Sequence, residues 1–145
     1  MPYLTLPVRA EGPIIDVAIA LSSPRIDALK GAGLLFPEPV WVPALIDTGA
    51  SITAIDESTA RTLGLVPSGT VEVRSVTTGY GHQVCIQYDI CLAFTKPTLR
   101  VMHANMPVIE TNLSTRTFKV LIGRDLLSKC LMFYNGEEGT FTLAF

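Results

Sequence analysis

The stretch ALIDTGAS, residues 44 to 51, ends an apolar run on a carboxylate and a glycine. Ala44, Leu45 and Ile46 read as a buried strand that delivers Asp47 into a tight turn, where Gly49 lets another backbone approach closely. A carboxylate so placed suits general acid–base work, and the chemistry it suggests needs two such groups facing each other. The chain carries no second D-T-G or D-S-G. Taken alone, the motif also fits a turn-capping aspartate after a strand, so other parts of the chain must decide its meaning.

Two further stretches bear on it. VLIGRDLL, residues 120 to 127, is an apolar strand and a glycine, followed by Arg124 and Asp125 opening a short helix. Gly123 would let this segment pass close behind the aspartate-bearing turn. Between the two lies SVTTGYGHQVCIQYDI, residues 75 to 90, in which β-rich arms flank Thr77, Thr78, Gly79, Tyr80 and Gly81. Gly79 and Gly81 permit the positive φ of a tight turn, so the tip reads as a mobile hairpin able to fold over a ligand.

Little else in the chain points to chemistry. His82 and His103 are too few and too separated for a metal site, and no Ser or Cys is flanked by a convincing base. Cys85, Cys91 and Cys130 are odd in number and lack a C-x-x-C spacing, which argues for reduced thiols in place of a disulfide framework or zinc site. Glu137 and Glu138 read as solvated residues of an NGEEG turn, and Asn112, Leu113 and Ser114 form a glycosylation sequon only in a secreted chain.

The elements that must position Asp47 are mostly strands. Short β-branched and aromatic runs, broken by Gly, Pro, Asn and Ser, predict a mainly β domain. The strands expected are Ile14 to Leu21, Val40 to Ile46, Val71 to Val76, Gln83 to Phe94, Leu99 to Met102, Phe118 to Ile122 and the two arms around Asn135 to Gly139. Helical signal is local: DESTARTLGL opens on Asp56 and closes on Gly64, and a second short helix starts near Arg124. Residues 22 to 39, with three prolines and two glycines, are expected to be an inserted surface excursion.

At 145 residues the chain is expected to be one domain, too short for two full lobes. Its 48% apolar and 17% charged residues, with a mean hydropathy of +0.40, leave apolar surface that suits a subunit interface. A net charge of −2, with eleven scattered Lys and Arg, leaves no basic patch and argues against nucleic acid as a partner. No run of about twenty apolar residues is present, and prolines interrupt the N-terminal MPYLTLPVRAEGP, so neither a membrane span nor a signal peptide is expected and the location expected is cytoplasmic.

Taken in this order, ALIDTGA, the hairpin and LIGRDLL resemble the retropepsin family, the single-domain aspartic proteases typified by retroviral proteases. The resemblance covers Ile14 to the C-terminus apart from the 22 to 39 excursion, and "QYD" at Gln87 to Asp89 fits the descending arm of the hairpin. It implies a mainly β, retropepsin-like acid-protease half-barrel with one or two short helices, working as a C2 homodimer. The missing second aspartate would then be Asp47 of another copy. The implied activity is that of an aspartic endopeptidase acting on an extended peptide or protein, with one proton shared between the two carboxylates and no metal or organic cofactor.

The resemblance also assigns roles. Thr48 would lock the two active-site turns together across the dimer, Gly49 would contact substrate backbone, and Thr77 to Gly81 would be the closing flap. Ala54, Val76 and Leu121 match positions that line substrate pockets, while Gly123, Arg124 and Asp125 would support the site. Ala50, where pepsin-like enzymes carry Ser, offers no hydroxyl to the carboxylates, so a weakly acidic pH optimum is expected. Ser51 stands where retroviral enzymes carry the acid that pairs with the arginine, leaving Asp56 or Asp125 as substitute partners for Arg124. Met1 at the head of the chain suggests a free-standing protease; the alternative function is a catalytically silent peptide-binding or dimerisation module.

Overall fold

The computed structural model describes residues 1–74, 81–96 and 99–145. Among them the order is β1 (Tyr3–Pro7), β2 (Ile14–Leu21), α1 (Ser23–Gly31), β3 (Val40–Ile46), β4 (Ala54–Asp56), α2 (Glu57–Thr62), β5 (Gly69–Arg74), β6 (His82–Lys96), β7 (Leu99–Thr111), β8 (Val120–Ile122), α3 (Arg124–Leu127), β9 (Leu131–Asn135) and β10 (Thr140–Ala144). The mainly β, half-barrel expectation holds, and β2 and β3 have the bounds read from the sequence.

The larger sheet runs β2-β3-β8-β4-β7-β6-β5, and β2 also pairs with β6. That second pairing, Ala18↔Ala93 to Leu21↔Ile90, closes six of the strands into a ring. Alternation along β2 explains why the ring fills: Ile15, Val17 and Ile19 are buried with Ile55, Ile90, Leu92, Phe94, Val108 and Val120. A separate sheet of order β1-β10-β9 joins the chain ends, with Thr5 and Thr142 hydroxyls hydrogen-bonded at 2.8 Å. Phe141 and Leu143 of β10 turn inward into the main core, whereas Leu131 and Phe133 of β9 are 64% and 62% exposed.

Three elements were not expected from the sequence. β1 does alternate, with Leu4 and Leu6 turned inward, and becomes a strand by pairing with the distant β10, whereas the three-residue β4 is too short to alternate and exists because Ala54 and Ile55 are paired on both sides, by β8 and β7. α1 lies in the stretch expected to be an excursion. None of its residues is buried, so it lacks the apolar stripe by which a helix is recognised, and Pro24 sits in its first turn where no intrahelical donor is needed. No helix among the described residues is long and apolar enough to cross a membrane.

α2 forms as expected. Asp56 caps it by accepting the Ser58 amide at 3.2 Å, and Gly64 ends it at φ +57°. Asp56 is 2% exposed and also accepts the Leu113 amide at 2.6 Å and the Ser58 hydroxyl. Burial by itself would raise its pKa; the bonds from Ser58 and Leu113, with the Lys119 charge, outweigh that and hold it below the usual value.

Candidate active site

The parallel pair β3 and β8 sets the site. Its register puts Ile46 beside Ile122, so the turn after β3 and the turn after β8 leave the barrel side by side. The Asp47 amide donates to the Ile122 carbonyl at 2.9 Å, which continues the ladder one residue beyond the strand. The chain then tightens: the Ala50 amide donates to the Asp47 carbonyl at 3.2 Å, and the Gly49 amide donates to Asp47 Oδ1 at 2.9 Å. The carboxylate is therefore held in a fixed direction, and Thr48 and Gly49 are exposed beside it.

Behind this turn the close approach expected of Gly123 is present. A Cβ there would stand 2.7 Å from the Ile52 carbonyl carbon and 2.9 Å from the Thr53 nitrogen, both backbone atoms. Its φ of −89° is ordinary, so the position needs glycine for space alone.

Arg124 finds a partner that the sequence reading did not anticipate. Its Nη1 donates to the carbonyls of Thr48 at 2.8 Å and Gly49 at 3.1 Å, and its amide donates to the Ala50 carbonyl at 2.9 Å. Neither Asp56 nor Asp125 pairs with it. Asp56 is occupied at the start of α2, and Asp125 holds Thr53. Carbonyl oxygens at the end of a tight turn have no ladder partner, so the guanidinium satisfies the backbone of the turn itself.

Thr53 was missed as a structural residue, as was the bond by which Asp56, expected only to open α2, also holds Leu113. Thr53 is fully buried; its hydroxyl donates to Asp125 Oδ1 at 2.7 Å and accepts the Gly123 amide at 3.1 Å, while its amide donates to Asp125 Oδ2 at 2.9 Å. The available signal was spacing: Thr53 lies six residues after Asp47 and Asp125 two after Gly123, in two turns already thought to touch.

A cleft of about 450 Å³ opens beside the turn. Asp47, Gly49 and Ala50 border it, with Ala54, Leu121, Val73 and Cys85 among its walls, and among the described residues Asp47 is the one carboxylate that lines it. Ala54 and Leu121, expected in a substrate pocket, are thus brought to Asp47. Val76 and the tip residues Thr77, Thr78, Gly79 and Tyr80 lie outside the described residues; Gly81 is described and exposed. The arms do pair as expected, from Gly69↔Gln87 to Arg74↔His82, and their Val73, Arg74, Gln83 and Cys85 border the cleft.

Among the described residues no group of three His, Cys, Asp or Glu could hold a metal ion. Cys85, Cys91 and Cys130 form no disulfide, and burial pushes all three thiol pKa values up, with Glu110 adding to the effect at Cys85. Away from the cleft, Tyr88 donates to Glu110 Oε2 at 2.7 Å; burial first, and then that carboxylate, push its pKa up to about 12.

Comparison with known proteins agrees with this geometry. The family model described as gag-polyprotein putative aspartyl protease matches residues 39–129, which span β3 to α3 and so include both turns. Among solved structures, a retropepsin-like aspartic protease from Rickettsia conorii aligns over 99% of this chain and 91% of its own, with a TM-score of 0.58 at 15% identity. The retroviral protease-like domain of Ddi1 from Leishmania major aligns over 86% and 83%, at 17% identity and a TM-score of 0.39, too loosely to bear on the fold. No curated protein matches the chain.

Proposed function

The chain belongs to the gag-polyprotein putative aspartyl protease family and has a retropepsin-like fold, and from this premise we propose that it is a homodimeric aspartic endopeptidase with Asp47 supplied by each copy. The observation that carries the reading is a single oriented carboxylate on an exposed turn, bordering a cleft to which no other described acid contributes. Half a dyad calls for a second copy, and an isologous contact about a two-fold axis at Thr48 would bring the two Asp47 side chains together.

In this reading the two carboxylates share one proton, because two negative charges a few ångströms apart repel. The ionised member takes a proton from a water, which attacks the peptide carbonyl. The protonated member hydrogen-bonds the carbonyl oxygen, and the proton is later passed to the leaving amine. Thr48 locks the paired turns, Gly49 meets substrate backbone, and Thr77 to Gly81 close over an extended peptide. Ala54, Val76 and Leu121 line its side-chain pockets, and Gly123, Arg124 and Asp125 hold the turn. The whole chain acts as one domain, with residues 22–39 outside the site.

The face around Thr48 supports this assembly. A shallow apolar depression there is bordered by Pro13, Ile46, Thr48, Met132 and Tyr134, and β9, which supplies the last two and lies at the edge of its sheet among the described residues, exposes Leu131 and Phe133 on its other face. A strand edge with exposed apolar residues is a site for pairing. The test is cleavage of a diverse peptide library from about pH 4 to 7 by the wild type and by Asp47→Asn, at concentrations where dimer is demonstrated. Cuts made only by the wild type are expected; a dimer that binds peptides and cuts none would make the chain a binding module.

A further inference from the structure

A second cleft, of about 360 Å³, also borders Asp47 and Leu121. Its walls are Leu45, Leu113, Phe118 and Leu121, with Leu113 and Phe118 packed on Ile14 in a small cluster of their own. Its mouth carries two charges, Glu11 and Arg116, both exposed.

The two charged residues are placed by different parts of the chain. Glu11 sits in a tight turn in which Arg9 and Gly12 exchange backbone bonds at 2.9 Å. Gly12, at φ +127°, allows that turn to lie on Leu45, whose Cδ1 would be 3.0 Å from any Cβ added there. Arg116 closes a turn by donating its amide to the Leu113 carbonyl at 2.9 Å. The Thr117 hydroxyl donates to Glu11 Oε1 and so ties the two turns together across the mouth. Among the described residues neither Glu11 nor Arg116 takes part in an ion pair, which leaves Glu11 Oε2 and the guanidinium to face an incoming group.

We propose that this cleft receives the substrate side chain next to the cleaved bond and selects glutamine, with Arg116 and Glu11 as the specificity-determining residues; this rests on the reading of Asp47 as the catalytic carboxylate. A glutamine lays its apolar stem against the leucines and Phe118. Its amide oxygen accepts from Arg116, and its amide nitrogen donates to Glu11. A glutamate in the same place gains Arg116 but meets the like charge of Glu11, and a lysine gains Glu11 but meets that of Arg116, so either ion gives up its hydration for opposing contacts. A leucine fits the walls and gains neither hydrogen bond.

The test uses the full chain and one peptide set in which each position in turn is Gln, Glu, Lys or Leu. Binding is measured with Asp47→Asn, and cleavage with the wild type. At one position, Gln is expected to bind about tenfold tighter than Glu or Lys and a few-fold tighter than Leu. Added to Asp47→Asn, Glu11→Gln should relieve the penalty against Glu, and Arg116→Gln that against Lys, with melting curves unchanged. Equal binding of all four at every position, an order untouched by both variants, or no peptide binding at all would overturn the proposal. Cleavage with flat selectivity sinks this pocket and leaves the endopeptidase; the expected binding pattern without any cleavage sinks the endopeptidase and leaves the pocket.

Discussion

Thr53 holds Asp125 twice: its hydroxyl donates to one carboxylate oxygen at 2.7 Å and its amide to the other at 2.9 Å. The same hydroxyl accepts the Gly123 amide, so one buried side chain couples the turn after β3 to the turn after β8. Removing it strands a carboxylate oxygen and an amide hydrogen together. Thr53→Val is expected to destabilise the fold by about 2–4 kcal/mol in urea titration, whereas Thr53→Ser should cost under about 1.5 kcal/mol. Asp125→Asn added to Thr53→Val should cost much less than it does alone, because the partners act as a unit.

Gly123→Ala tests the space behind Asp47. The added methyl would stand 2.7 Å from backbone that cannot rotate away, so the two turns must separate. A loss of about 1–3 kcal/mol is expected, with cleavage falling below detection under conditions where circular dichroism still reports a folded chain. Normal cleavage by a stable Ala variant would show that the turns have slack.

Asp56 makes stability depend on pH. Its pKa is lowered in the folded chain, so its contribution is fully present above the unfolded value near 3.8 and is lost as pH falls through the folded value. Asp56→Asn should therefore cost about 1–3 kcal/mol at pH 6, and the gap between variant and wild type should close as pH falls below about 4. Urea midpoints at several pH values read this directly; a gap that is constant with pH would mean the carboxylate charge is not what Leu113 and Ser58 hold.

Ala50→Ser concerns the rate. In the proposed dyad, a hydroxyl beside the two carboxylates would donate to the charged form and favour it. The wild type is expected to reach its maximal rate above about pH 3.5, and the Ser variant to move the acidic limb of the profile downward. Coincident profiles would show that the added hydroxyl does not reach the carboxylates.

The exposed edge of β9 carries the assembly prediction. Phe133→Asp should shift sedimentation toward monomer at micromolar concentration and reduce cleavage in proportion, with activity recovering as protein concentration rises. A dimer that survives this change would place the two-fold contact elsewhere.

Much of the site was legible in the sequence because its parts are contiguous. An apolar run ending in D-T-G and another ending in G-R-D each specify a strand and the turn that follows, and both strands formed where they were expected. Turn chemistry is similarly local, as Asp56 and Gly64 show at the two ends of α2. What periodicity needs is length and a buried face, so the three-residue β4 and the unburied α1 left no mark, while β1 alternates but is made a strand by its pairing with the distant β10.

The tertiary structure decided how the contiguous parts meet. The parallel register of Ile46 with Ile122 is a contact between distant segments, and it determines that Arg124 reaches the Thr48 and Gly49 carbonyls and that Asp125 reaches Thr53. Residue types alone suggested a carboxylate for the arginine, because a charge is the partner that a sequence displays. Backbone carbonyls have no letter in the sequence, and only the folded turn shows which of them lack a donor.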